Sequence, residues 1–274
     1  MPDQIQLSHL EQTAYFAALR QGIHVLDLER MSDLIAVSPT HAAKLLAAMA
    51  RKGALQRVGR GRYVIVSSDV LYGRQTFVAD PLQVVDELLR RAGLSEYYVA
   101  YQSAAFIYGA ANQLPQALLV ALPRQRRSIT WGRAEILFVQ VQRAKFFGIQ
   151  ETRYHESRFR ISDREKTLLD CLDRFDLCGG MDEVAHAISV LLPETDPERL
   201  LAYVPDMANQ ALVHRLGYVL DELSTQLTVP QTLLDSLAAL IAPRVYPLDP
   251  HGPAAGPVHP RWRVRVNLEV ELRG

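Results

Sequence analysis

Apolar residues recur at helical spacing through the first fifth of the chain. Leu10, Ala14, Phe16, Ala17 and Leu19 predict a core-facing helix from about Leu10 to Arg20, ended by Gly22. Leu28, Met31, Leu34 and Ile35 predict a second helix, from about Leu28 to Ala36. After Val37-Ser38-Pro39, the residues Ala42, Leu45, Leu46 and Met49 mark the inner stripe of a third helix that stops before Gly53. Two short apolar runs, Ala54–Val58 and Arg62–Val66, flank Gly59-Arg60-Gly61 and read as a hairpin. Helix, helix, turn, helix, hairpin is the order of a winged helix-turn-helix.

Beyond a polar connection at 69–80, the pattern becomes mixed. An amphipathic helix is expected over Pro81–Ala92, a strand at Tyr97–Tyr101 and a helix over Gln102–Tyr108. The continuous apolar runs Leu118–Leu122 and Ile136–Val141 read as buried strands. From Ser162 onward the spacing is helical, in segments 163–175, 182–191, 197–202, 205–226 and 231–241. Prolines then stud 243–260, which excludes regular helix or sheet there. Finally Trp262, Val264, Val266, Leu268, Val270 and Leu272 alternate with polar residues, predicting a strand over 261–273 that joins a sheet edge, its own or a partner's, so self-association stays open.

Four helix starts carry caps. Ser8-His9-Leu10-Glu11 and Ser162-Asp163-Arg164-Glu165 have the form of capping boxes, and Asp80-Pro81 and Asp196-Pro197 place an acceptor before a residue without N–H. The expected fold class is α+β: a winged helix-turn-helix domain at 1–68, the 69–80 connection, a mixed α+β domain at 81–242, a Pro-rich linker at 243–260 and a strand at 261–274.

Charge changes this picture locally. The 274-residue chain is balanced, with 30 basic and 30 acidic residues, yet Leu34–Ser68 contains no Asp or Glu and carries Lys44, Arg51, Lys52, Arg57, Arg60 and Arg62. A cationic module within a neutral chain is the footprint of a nucleic-acid reader. On the outer stripe of the third helix, Ala43 and Ala47 keep the face slim, and Thr40, His41 and Lys44 lie at the end that reads bases in this motif. Ser38, Arg51, Lys52, Arg57, Arg60 and Arg62 are placed to meet phosphates. Arg124, Arg126, Arg127 and Arg133 form a second basic cluster, which either extends the nucleic-acid surface or is simply solvated.

Other chemistry is thinly signalled. Cys171 and Cys178 are too few for a zinc site and read as free thiols, and the eight histidines are scattered. No catalytic residue, metal site or cofactor is expected, and no phosphate-binding glycine loop or nucleophile elbow occurs. The string Asp163-Arg164-Glu165-Lys166 faintly resembles a metal-dependent nuclease signature, so a nuclease or nucleic-acid-processing enzyme built on the second domain is the alternative. No run approaches the ~18 apolar residues that span a bilayer. The start Met1-Pro2-Asp3-Gln4 is not that of a secretory signal, so a cytoplasmic protein without membrane contact is expected.

Three stretches resemble the AbiEi family of antitoxins and transcriptional regulators. They are Gly53-Ala54-Leu55-Gln56-Arg57-Val58-Gly59-Arg60-Gly61-Arg62-Tyr63, then Tyr101-Gln102-Ser103-Ala104-Ala105-Phe106-Ile107-Tyr108-Gly109, and the most specific, Ile161-Ser162-Asp163-Arg164-Glu165-Lys166-Thr167-Leu168-Leu169-Asp170. The resemblance runs from about residue 8 to about residue 190 and implies a bacterial repressor of its own operon. Its N-terminal domain would bind double-stranded DNA at inverted repeats in the operator. Its second domain would counter a nucleotidyltransferase-like toxin of a type IV phage-defence system. The same resemblance places the reading stripe on Thr40, His41 and Lys44 and the wing on Arg57, Arg60 and Arg62.

Overall fold

A computed structural model describes residues 6–66, 80–131, 133–154 and 157–268. The chain begins with α1 (His9–Arg20), β1 (Val25–Leu26), α2 (Leu28–Ile35), α3 (Pro39–Arg51) and the hairpin β2 (Leu55–Gly59) and β3 (Arg62–Ile65). The capping box of α1 forms as the sequence dictates: Ser8 N donates to Glu11 Oε2 at 2.6 Å and Ser8 Oγ accepts from Glu11 N. α1 turns Ala14, Tyr15 and Ala18 inward, whereas Phe16 is exposed, so its buried stripe is offset from the one its apolar positions suggest. Ala42, Leu45, Leu46 and Met49 of α3 are buried, as the spacing requires. β1 is too short to announce itself; it pairs antiparallel with β3 to give the sheet order β1-β3-β2.

The connection expected at 69–80 falls outside the described residues up to Asp80. Asp80 caps α4 (Pro81–Arg91), accepting from Leu82 N. β4 (Tyr98–Val99), α5 (Tyr101–Ile107), β5 (Leu118–Leu122), β6 (Ile129–Trp131), β7 (Ala134–Gln140), β8 (Ile149–Tyr154) and β9 (Ser157–Ser162) follow. The strands form one mixed sheet in the order β6-β7-β5-β4-β9-β8. All five residues of β5 are buried because both faces of the sheet are covered. Leu118, Val120 and Leu122 face a core shared with Val85, Leu88 and Leu89 of α4. Leu119 and Ala121 face the opposite core, built from the helices that follow.

Those helices are α6 (Arg164–Asp173), α7 (Met181–Leu191), α8 (Pro197–Tyr203), α9 (Gln210–Leu223) and α10 (Gln231–Ala239). Two details differ from the sequence reading. α9 starts at Gln210 behind an Asn209 cap, so the helix expected over 205–226 is shorter. β9 runs through Ser162, so the cap of α6 moves one residue on: Asp163 accepts from Lys166 N at 2.8 Å, while the Ser162 hydroxyl lies 2.7 Å from that of Thr167.

The tail is also corrected. Of the expected strand over 261–274, only β11 (Val264–Arg265) is a strand among the described residues, paired parallel with β10 (Tyr246–Pro247) inside the supposed linker; 269–274 lie outside the described residues. The pairing stays within the tail, which straps the helical layer. Trp262 is fully buried against Gly217 of α9, and its Nε1 donates to Asp221 Oδ2 at 2.6 Å. His214 is fully buried and bridges the strap: Ala242 N donates to its Nε2, which leaves Nδ1–H to donate to Trp262 O at 2.9 Å.

Candidate nucleic-acid interface

The interface starts with the cap of α3. Ser38 is extended, its Oγ accepts from His41 N at 3.4 Å, and Pro39 opens the helix. Because the apolar stripe is buried, Thr40, His41, Ala43, Lys44, Ala47 and Arg51 are left exposed. Lys52, at the helix end, is tied inward, its Nζ 2.5 Å from Glu11 Oε2. Burial pushes the Glu11 carboxyl up, but the hydrogen bonds from Lys52 and Ser8 outweigh it and hold the pKa below the usual carboxylate value.

Gly61 takes the left-handed backbone (φ 68) at which β2 turns into β3, which a side chain would strain. Arg60 stands exposed at this tip. Arg57 Nε donates to Gly59 O at 3.2 Å, orienting its guanidinium along the hairpin. Arg62 is half-buried, and its Nη2 donates to Arg91 O of α4 at 3.0 Å. Among the described residues no ion pair ties Lys44, Arg51, Arg57 or Arg60.

Two grooves meet at Arg60 and Arg62. One, about 560 Å³, runs from these arginines to Pro39 at the start of α3 and is bounded by Asp27, Glu29 and Asp33. The other, about 300 Å³, has Arg60 and Arg62 on one wall and Arg126, Arg127 and Ser128 on the other. Among the described residues nothing acidic lines this second groove. Arg126 lies over the Phe138 ring, 5.6 Å from its centroid. Burial, and then the like charge of Arg62, pull its pKa below the ordinary guanidinium value. The second basic cluster therefore divides. Arg126 and Arg127 face the hairpin, whereas Arg124 and Arg133 are exposed elsewhere, Arg133 beside an apolar hollow with Phe106 and Leu114. Sixty-odd residues separate Arg62 from Arg126, and no sequence signal links them.

The acid string of the third motif is structural. Asp163 caps α6 and accepts from Tyr203 Oη at 2.9 Å. Glu165 is buried; it accepts from Asp196 N at 2.8 Å and so fixes the start of α8. Lys166 is fully buried, paired with Asp170, with the Tyr98 and Phe147 rings 5.4 and 5.0 Å from its ammonium. These partners bind the nuclease-like residues into the core instead of converging them on a metal, and no group of three metal-capable side chains occurs among the described residues. Cys171 and Cys178 are buried free thiols, and the hydrogen bond with Cys178, then burial, drives the Cys171 pKa well up. No helix of the described residues is long and apolar enough to cross a membrane.

Residues 97–222 match the family model of the AbiEi antitoxin C-terminal domain. The solved structure of the RV2827C protein from Mycobacterium tuberculosis is similar with a TM-score of 0.68, over 94% of this chain and 92% of that one, at 14% identity. A likeness at that identity establishes the fold alone. No curated protein matches the chain.

Proposed function

We propose, from the match of residues 97–222 to the AbiEi antitoxin C-terminal domain, that this chain is a sequence-specific DNA-binding repressor and the autoregulating antitoxin of a type IV toxin–antitoxin system. Residues 1–68 act as a winged helix-turn-helix on double-stranded operator DNA bearing inverted repeats. Thr40, His41 and Lys44 read bases. Ser38, Arg51, Arg57 and Arg60 meet phosphates, and Lys52 and Arg62 add charge from positions already held by Glu11 and Arg91 O. Residues 81–242 form the antitoxin-like domain, which opposes a nucleotidyltransferase-like toxin, and 243–268 packs against it.

The observation that carries this reading is the division of α3: one stripe is buried in the core, and the other is exposed, slim and cationic, with nothing acidic paired to it among the described residues. A helix needs that outer face to enter a major groove. The acids at Asp27, Glu29 and Asp33 bound the surface on the α2 side and direct phosphates toward the hairpin. The test is affinity for duplexes drawn from the DNA upstream of the chain's own gene against scrambled duplexes. Lys44→Ala and Thr40→Ala are expected to weaken the upstream site more than the scrambled one, by about 1–3 kcal/mol for a lost base contact. Equal losses on both would refute base reading.

A further inference from the structure

The N-terminal helices and hairpin do not hang on the chain connection alone. Val25, Val58 and Val64 from the small sheet are buried in the same core as Leu88 of α4. Around this apolar seam lies a ring of charge. Glu87 Oε2 accepts from both His24 N and Val25 N at 3.1 Å, closing the otherwise open backbone of β1. Arg30 pairs with Glu87, and Arg91 pairs with Asp27, the residue that caps α2. Arg62 completes the ring by donating from the hairpin to Arg91 O. All four charged partners, Asp27, Arg30, Glu87 and Arg91, keep only 21–30% of their side-chain surface exposed, so the pairs are shielded from full screening.

We infer that Glu87 and Arg91 are positioning residues: they lock the hairpin of the N-terminal region against the loop carrying Arg126 and Arg127, so that both sets of arginines meet the phosphates of one duplex at a fixed spacing. This rests on the DNA reading proposed above. The need for a lock follows from electrostatics. Arg62 and Arg126 face each other across a groove that no acid lines among the described residues, and like charges at close range repel. This repulsion pushes the hairpin and the loop apart, against the valine seam. The pairs on α4 hold the hairpin in place, and the cost of assembling the arginines is met during folding, before DNA arrives. Such preorganisation converts two weak patches on a tether into one reader.

The experiment has two arms on the full chain, using Glu87→Ala/Arg91→Met as the unlocked variant. It leaves Asp27 as the cap of α2 and keeps the valine seam, and a single cooperative melt verifies that it folds. In the first arm, spin labels at His9→Cys and Gln125→Cys, both exposed, report the distance between the two parts; the native thiols Cys171 and Cys178 are buried. A narrow distribution is expected with native Glu87 and Arg91, and a broadened one without them. Equal widths would overturn the lock.

In the second arm, Arg126→Gln/Arg127→Gln is expected to shallow the salt dependence of duplex binding by about 1.8, at 0.9 per phosphate. In the unlocked variant the same change should shallow it by less than half as much, while Arg60→Ala keeps its full effect. Glu87→Gln, which retains an acceptor for His24 N and Val25 N, should fall between. Identical shallowing in locked and unlocked backgrounds would overturn the positioning role. If no protein binds duplex in a salt-dependent way, the DNA reading and this role fall together. Narrow native distances would then still leave the mechanical lock standing, which separates the two failures.

Discussion

Replacing Gly217 by Ala sets two effects of opposite sign against each other, and the structure decides between them. In a solvent-facing helix interior the change would stabilise by up to about 1 kcal/mol, since Ala loses less backbone freedom on folding. Within α9 the added Cβ would sit 2.1 Å from Cε3 and 2.2 Å from Cζ3 of Trp262. Carbon atoms meet comfortably at roughly 3.5–4.0 Å, so the overlap is well over 1 Å. The ring has no easy retreat: Trp262 is fully buried, its indole N–H is held by Asp221 and its carbonyl by His214. Overpacking of this kind costs about 1–3 kcal/mol or more, which exceeds the propensity gain. Net destabilisation of about 1–2 kcal/mol should lower the melting temperature by several degrees, at roughly 2–4 °C per kcal/mol for a chain of this size class. Urea titration should show a lower midpoint at an unchanged slope. Trp262→Ala alone should cost about 3–5 kcal/mol. Adding Gly217→Ala to it should cost nothing more or restore a little, because the clash is gone. A Gly217→Ala protein as stable as the parent would refute the packing argument.

Three further outcomes follow from the same geometry. Arg60→Ala should weaken upstream and scrambled duplexes by the same factor and shallow the salt slope by about one unit, read by fluorescence anisotropy over a salt series; an unchanged slope would count against the hairpin tip. Lys166→Met should destabilise by about 3–5 kcal/mol in chemical denaturation, because it strands the buried Asp170 carboxylate, and a loss under 1 kcal/mol would show that carboxylate to be protonated or hydrated. Burial depresses the His214 pKa, so folding favours the neutral ring. Its contribution is complete above the unfolded value of about 6.5 and is lost as pH falls below it; melting temperatures from pH 8 to 5 should drop more steeply for the parent than for His214→Asn, and parallel curves would refute this.

What the sequence disclosed depended on how periodic each element is. α3 was legible because Ala42, Leu45, Leu46 and Met49 repeat at 3.6-residue spacing and Ser38-Pro39 marks the start. β8 and β9 were not anticipated. β8 reads Ile-Gln-Glu-Thr-Arg-Tyr with little burial, and in β9 the inward Phe159 and Ile161 alternate with Arg158 and Arg160 over too few residues to stand out. That omission also misplaced the cap of α6, since a strand running through Ser162 leaves Asp163 as the residue in capping position. The tail shows the converse error. Alternation at Trp262, Val264 and Val266 was real, but the backbone pairs it marks are short and local, to Tyr246–Pro247 and Val258, while the inward side chains are buried on the helical layer that includes α9. At the candidate interface the exposed stripe of α3 could be read residue by residue. The approach of Arg126 to Arg62, and the ring around Glu87, come from tertiary packing and leave no local signature.

The order of the large sheet also limits how two copies of the chain can meet. Its flanks are β6 and β8. β6 is three residues long and sits beside Arg127 and Arg133, and β8 presents Gln150, Glu151 and Arg153 to solvent. Short or charged borders of this kind discourage strand-to-strand zippering between molecules. If two copies meet on DNA as proposed, helices or loops would join them, and not a continuous sheet running from one molecule into the next.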